Sequence, residues 1–216
     1  MNTLHLGGQI YRNSLLDVPY TYEALTDILK SQKLKFSQLR SAEMFPAPSF
    51  TMTFYRFILK EDRIPTQAEF CVFFVEDEEN KELIKNNMAK SRYKDLDKVV
   101  EGLKARAART YPSLVRDLAF SIKVKEAGYE TFWNPEVDVS CKADMVIKIN
   151  DQLYGIAMYT NTRRGTMCRS RKLGETEMPP ELTKIELPIN LSEGEKVGDF
   201  LLYGEKHIND LKALIA

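Results

Sequence analysis

The sequence predicts an α/β protein in which a mainly helical first part leads into a mixed sheet flanked by helices. Three observations carry this. Apolar residues recur at helical spacing up to Gly128, the period changes to two after it, and Asn150-Asp151 stands between two apolar runs as a hairpin turn. In order along the chain, Tyr22, Leu25, Ile28 and Leu29 mark one helix face, and Phe50, Phe54, Phe57 and Ile58 mark another. Thr66 and Glu69 form a capping box after Pro65, opening a helix whose buried stripe is Phe70, Phe73 and Phe74. Residues 79–109 read as one or two exposed, basic helices. Pro112 takes a first-turn position, Val115, Leu118, Ala119 and Ile122 form the apolar face that follows, and Gly128 is the stop.

Beyond Gly128, residues 129–133 form a short strand that Asn134 and Pro135 break. Every odd position from Val137 to Ile149 is then apolar or small, which predicts one long strand with Asp138, Ser140, Lys142, Asp144 and Lys148 on its other face. Residues 152–160 have no polar face, as in a central strand. Residues 185–189 form another strand, and residues 197–215 a short strand and a closing helix punctuated by Gly204.

Composition narrows the chemistry. With 216 residues, 44% of them hydrophobic, the chain holds enough apolar material for one full core or one core and a small appendage. Its longest apolar run, residues 70–75, is far below the roughly 20 residues of a membrane span, and residues 1–12 lack a secretory pattern. Three widely spaced cysteines form neither a disulfide framework nor a CxxC zinc site, so the expectation is a cytoplasmic protein without a membrane partner. Two histidines leave little for His-based catalysis or a His-rich metal cluster, and GxSxG, Walker A, GxGxxG and HExxH are all missing.

The 31 basic and 31 acidic residues balance but are segregated. Residues 61–79 hold seven acids against Arg63 alone, whereas residues 81–125 and 142–172 are strongly basic. Within the last of these, Arg163, Arg164, Arg169, Arg171 and Lys172 surround Gly165 among several hydroxyl side chains, the groups a phosphate backbone requires. Surface ion pairs are worth only about 0–1 kcal/mol each, so stability alone is a weak reason for such clustering. The expected partner is nucleic acid, DNA in the first place.

The runs Lys142-Ala143-Asp144-Met145-Val146-Ile147 and Tyr154-Gly155-Ile156-Ala157-Met158-Tyr159-Thr160 form a hairpin preceded by a helix and a strand and followed by a basic segment. This order resembles the core of the PD-(D/E)XK nuclease superfamily, the restriction-endonuclease-like fold, over roughly residues 112–172. The resemblance implies a helical region over residues 1–110 and a restriction-endonuclease-like core over 111–216. In that family the first hairpin strand supplies a metal-binding Asp and the second a Glu-x-Lys on the same face. Asp144 matches the Asp, but Ala157 and Tyr159 stand at the Glu and Lys positions, and no register restores the dyad.

A two-residue turn at Asn150-Asp151 pairs Ile149 with Gln152, which puts Asp144 opposite Ala157 and Lys142 opposite Tyr159. Lys142 would then project near the missing lysine from the neighbouring strand. The resemblance thus implies a relocated site, in which Asp144 with Asp138 or Glu136 holds Mg²⁺ and Lys142 or Lys172 orients the attacking water. Its activity would be metal-dependent endonucleolytic cleavage. The alternative reading is a nuclease-like module without catalysis, binding nucleic acid or a protein partner in a restriction, mobile-element or phage-related system. A third makes residues 50–74 part of a homo-oligomer interface.

Overall fold

Local capping chemistry starts each helix of the first part where the apolar period begins. The computed structural model describes residues 1–160 and 179–215. A hairpin of β1 (Thr3–Leu6) and β2 (Gln9–Arg12) and a 3₁₀ turn (Ser14–Asp17) precede α1 (Tyr22–Ser31), α2 (Phe50–Glu61), α3 (Gln67–Glu76), α4 (Glu78–Lys90) and α5 (Leu96–Glu126). Thr21, Ser49, Thr66, Asp77 and Asp95 are the N-caps of α1 to α5. The capping box is complete: Thr66 Oγ1 accepts from the Glu69 amide at 3.3 Å, and Glu69 Oε2 accepts from the Thr66 amide at 2.7 Å.

Pro112 departs from expectation, for it lies in the interior of α5 instead of opening a helix. A proline there removes a hydrogen bond to the carbonyl four residues earlier. That carbonyl, Ala108 O, accepts instead from Gln67 Nε2 at 2.9 Å, and Gln67 Oε1 accepts from the Lys35 amide at 2.7 Å. The side chain of α3 thereby replaces what the proline lacks. The helix starts at Leu96 and ends at Glu126, and Gly128, two residues on, has the φ of 94° of the left-handed stop the sequence predicts.

The helical region closes around fully buried Tyr111, whose ring meets Phe54, Phe70 and Phe200 at 5.9–6.2 Å between centroids. Its hydroxyl donates to Pro65 O at 2.5 Å. Further along α5, Phe120 and Val124 lie in the second core, under the sheet. The expected division between residues 110 and 111 therefore falls inside a continuous helix that both parts share.

The sheet comprises β3 (Glu130–Phe132), β4 (Met145–Ile149), β5 (Gln152–Thr160) and β6 (Leu182–Ile189), in that order. β3–β4 and β4–β5 are antiparallel, whereas β5–β6 is parallel. Ile149 pairs with Gln152, as the turn arithmetic predicts, and β5 is central. The chain closes with the small hairpin β7 (Glu195–Val197) and β8 (Phe200–Leu202) and with α7 (Glu205–Ile215). Met145, Ile147, Ile156, Leu187 and Ile189 pack against α5 and α7, while Val146 and Leu182 pack with Leu4, Leu6 and Tyr11 of the first hairpin. The architecture is mixed α/β.

The long strand expected from Val137 to Ile149 is not formed; its first half is α6 (Pro135–Cys141). Asn134 Oδ1 accepts from the amides of Glu136 at 2.8 Å and Val137 at 3.2 Å, and Pro135 sits at the first helical position, where its missing N–H is harmless. Val137 and Cys141, four apart, bury one face while Val139 is 44% exposed. Four-residue spacing satisfies a period of two as well as a helix, so alternation alone misassigned it. Lys142 ends α6 at a left-handed φ of 55°.

Candidate functional site

Asp144 stands between the end of α6 and the start of β4. Its amide donates to Ile156 O at 2.8 Å, the carbonyl of the residue that already pairs with Met145, so the register slips by one at the start of β4 and the expected opposition of Asp144 and Ala157 is not formed. Its carboxylate does local work too. Oδ2 accepts from the Met158 amide at 2.6 Å, a donor that would otherwise lose its ladder partner where the chain turns into α6. Lys142 does not project beside it: Nζ donates to Val139 O at 2.6 Å, on the C-terminal end of α6. The placement of Lys142 opposite Tyr159 is thus corrected, because a helix cap at this position takes it out of the strand.

Asp138 is carried by α6, not by a strand, and yet it comes to the same place. It lines a cavity of about 10 Å³, close to the space of a single water, together with Asp144, Trp133 and Asp117 of α5. Glu136 is exposed on α6 and is not among the lining residues. Asp117 escaped the sequence reading because it lies within a basic stretch. The signal that marked it is a carboxylate between Leu114 and Leu118, on a helix stretch that buries both of them.

Tyr203 joins this end of the sheet from the loop after β8. Its hydroxyl donates to Asp117 Oδ1 at 3.3 Å, and Arg116 lies 5.5 Å from its ring centre. Burial above all, then the negative charge of Asp117, with a lesser push from Asp144, drives the phenol well above its usual range. It stays protonated and serves Asp117 as a donor. Trp133, 3% exposed and edge-on to Tyr55, belongs to the core and offers no stacking face to a base.

Among the described residues, no group of three or more His, Cys, Asp or Glu side chains is arranged to hold a metal ion. The donor chemistry still matters. Carboxylate oxygens suit Mg²⁺, which is commonly held by one or two carboxylates completed by substrate phosphate and water and seldom by a full protein cage. Asp144 and Asp138 bring two carboxylates to the lining of one cavity.

The basic residues divide. Arg163, Arg164, Arg169, Arg171 and Lys172, like Cys168, lie outside the described residues. On α5, Arg106 donates to Ala42 O and Phe45 O at 2.8 and 2.7 Å, Arg109 donates to Ser37 O and Leu39 O and pairs with Glu43, and Arg116 donates to Leu201 O at 2.6 Å. These cations hold the chain between α1 and α2, and the β8 strand, against α5. Lys85, Lys90, Arg92 and Lys94 remain exposed. No helix among the described residues is long and apolar enough to cross a membrane. No protein-family model matches the chain, and comparison with curated proteins and with solved structures finds no match.

Proposed function

We propose that this chain is a nucleic-acid-binding protein built on a restriction-endonuclease-like core. The observation that carries the reading is the position of Asp144: it immediately precedes the first strand of an antiparallel hairpin and lies against β5, with its amide on Ile156 O and its carboxylate on Met158 N–H. The order α5, β3, β4, β5, with β6 parallel to β5, supports the same reading. Binding would rest on Arg163, Arg164, Arg169, Arg171 and Lys172, five cations that follow directly on the central strand in sequence. The resemblance also suggests a restriction, mobile-element or phage-related setting.

Metal-dependent cleavage is the second reading, favoured by the meeting of Asp117, Asp138 and Asp144 at one cavity. Asp144 and Asp138 would hold Mg²⁺, which when bound polarises a phosphoryl oxygen and the attacking water. Met158 N–H keeps the Asp144 carboxylate oriented, and Tyr203 O–H keeps Asp117 hydrogen-bonded. Ala157 and Tyr159 supply neither the acid nor the cation of a Glu-x-Lys, and Lys142 is turned away. Binding therefore comes first and cleavage second.

Electrophoretic shifts with single- and double-stranded DNA and RNA, with and without Mg²⁺ or Mn²⁺ and with cleavage monitored, test both. Charge reversal at Arg163, Arg164 and Arg171 is expected to weaken binding and flatten its salt dependence; unchanged affinity would remove that surface. Asp144→Asn keeps an acceptor for Met158 N–H but removes the charge. Loss of metal-dependent cutting with binding intact would place Asp144 in the chemistry, and a wild-type protein that binds without cutting would leave the non-catalytic module.

A further inference from the structure

The face of the helical region made by α2, α3 and the start of α4 has a chemistry opposite to that of a nucleic-acid surface. Phe57, Val72 and Phe73 line an open groove of about 910 Å³, and Val72 is 47% exposed. Six acids border it, Glu61, Glu69, Glu76, Asp77, Glu78 and Glu79, against three bases, Lys60, Arg63 and Lys81. The bases are already engaged. Arg63 holds Glu69 through two hydrogen bonds of 3.0 and 2.6 Å and lies over the Phe57 ring, Lys60 lies over the Phe73 ring, and Lys81 pairs with Glu78 at 2.9 Å. Arg56 takes Asp77 and Glu79. Glu61 and Glu76 are exposed and stand outside these pairs.

Glu61 is the last residue of α2, at its negative end, and Glu76 the last of α3, whose last turn carries no base, although Glu76 also stands next to Asp77, the N-cap of α4. A second hollow along α4 has Glu78, Glu79 and Glu82 on its walls with Lys81 and Lys85, a smaller acidic excess. Such a face repels phosphate and attracts cations.

We propose that this groove docks a basic amphipathic helix of a partner protein. Its apolar side lies on Val72 and Phe73, and its lysines or arginines stand over Glu61, Glu76 and Glu79. The inference is independent of the nucleic-acid reading, since it uses another face and the opposite charge.

The test is fluorescence anisotropy of a labelled helical peptide, leucine on one side and lysine on the other, titrated with the full chain. A peptide of the same composition, scrambled to destroy the apolar side, is the control. The amphipathic peptide should bind at least about tenfold more tightly than the control, and Glu61→Lys with Glu76→Lys should weaken it by about tenfold or more. The thermal midpoint of that double variant should hold or rise, because lysines suit helix C-termini. Val72→Asn should weaken binding while leaving the charge of the groove unchanged. No binding by the wild-type chain, equal binding of the scrambled peptide, or undiminished binding by both variants overturns the proposal. Self-association of the wild-type chain in sedimentation, abolished by Val72→Asn, also overturns it, and assigns the groove to a second copy.

Discussion

The aromatic core around Tyr111 and the carboxylate-lined end of the sheet lie along the same helix, α5, and treat their polar groups differently. Around Tyr111 the polar side chains serve the backbone: Gln67 donates to Ala108 O, Asn80 donates to Phe74 O, and Arg106 donates to two loop carbonyls. At the sheet end, Asp117, Asp138 and Asp144 converge on one cavity, and a buried phenol is turned toward them. Structural polar groups are thus recognised by the carbonyl or amide each one satisfies, whereas at the sheet end carboxylates from three separate parts of the chain line one place. Asp144 belongs to both kinds, since it caps Met158 N–H and lines the cavity.

The largest effect that would break this contrast is expected at Tyr111. Tyr111→Ala empties the centre of the aromatic core and should cost about 3–5 kcal/mol in denaturant unfolding; a loss below 1 kcal/mol would show that the helical region does not depend on it. Gly102→Ala comes next, because an added Cβ would lie 2.6 Å from Ala42 Cβ and from Ser41 Oγ, and overpacking of that kind costs about 1–3 kcal/mol. Gln67→Ala should cost about 1–3 kcal/mol by leaving Ala108 O unpaired beside Pro112, and Pro112→Ala in the same background should return part of it by restoring the amide donor. An additive double variant would mean that the two residues do not compensate each other.

The smallest expected effect is a pH dependence. Arg63 above all, assisted by the Thr66 amide and hydroxyl, holds the Glu69 carboxyl at about 2 against an ordinary 4.5. A depressed folded value stabilises above the unfolded one, so this contribution is complete above about pH 4.5 and fades as pH falls toward 2. Glu69 is partly exposed, which keeps the amount small. Unfolding midpoints of wild type and Glu69→Gln should therefore converge in acid; a gap constant from pH 6 to pH 3 would place the effect elsewhere.

What the sequence disclosed follows from the range of each signal. The Thr66–Glu69 box, the Gly128 stop and the Asn150-Asp151 turn are written within a few residues, and all three form where the pattern places them. The turn sets the register from Ile149 back to Met145, but the expected opposition of Asp144 and Ala157 is lost where the Asp144 amide bonds Ile156 O. Pro112 sits inside a helix against its local pattern because the side chain that compensates for it, Gln67, lies 41 residues from the carbonyl it caps, Ala108, a distance no local pattern spans. α6 carries an alternation that predicts a strand because Val137 and Cys141 satisfy both periods, whereas Asn134-Pro135, which predicts a break, is an N-cap followed by its first-turn proline. The same helix takes Lys142 away from the place the alternation predicts. Asp138 lines the cavity of Asp144 from α6 instead of from a strand, and Asp117 enters it only through the three-dimensional packing.

The continuity of α5 has a consequence for handling the chain. Thirty-one residues of helix make a strut of about 46 Å that lies in the first apolar cluster from Val99 to Ile122 and reaches the second through Phe120 and Val124. A protease cut or a truncation near residue 110 would divide the first cluster between Ala107 and Leu114 and take Leu4, Leu6 and Tyr11 from the cluster on the other face of the sheet, so neither fragment would keep a closed interior. The described parts should melt together in a single calorimetric transition with matching van't Hoff and calorimetric enthalpies, and a library of fragments meant to isolate a minimal functional piece should be cut elsewhere than along this helix.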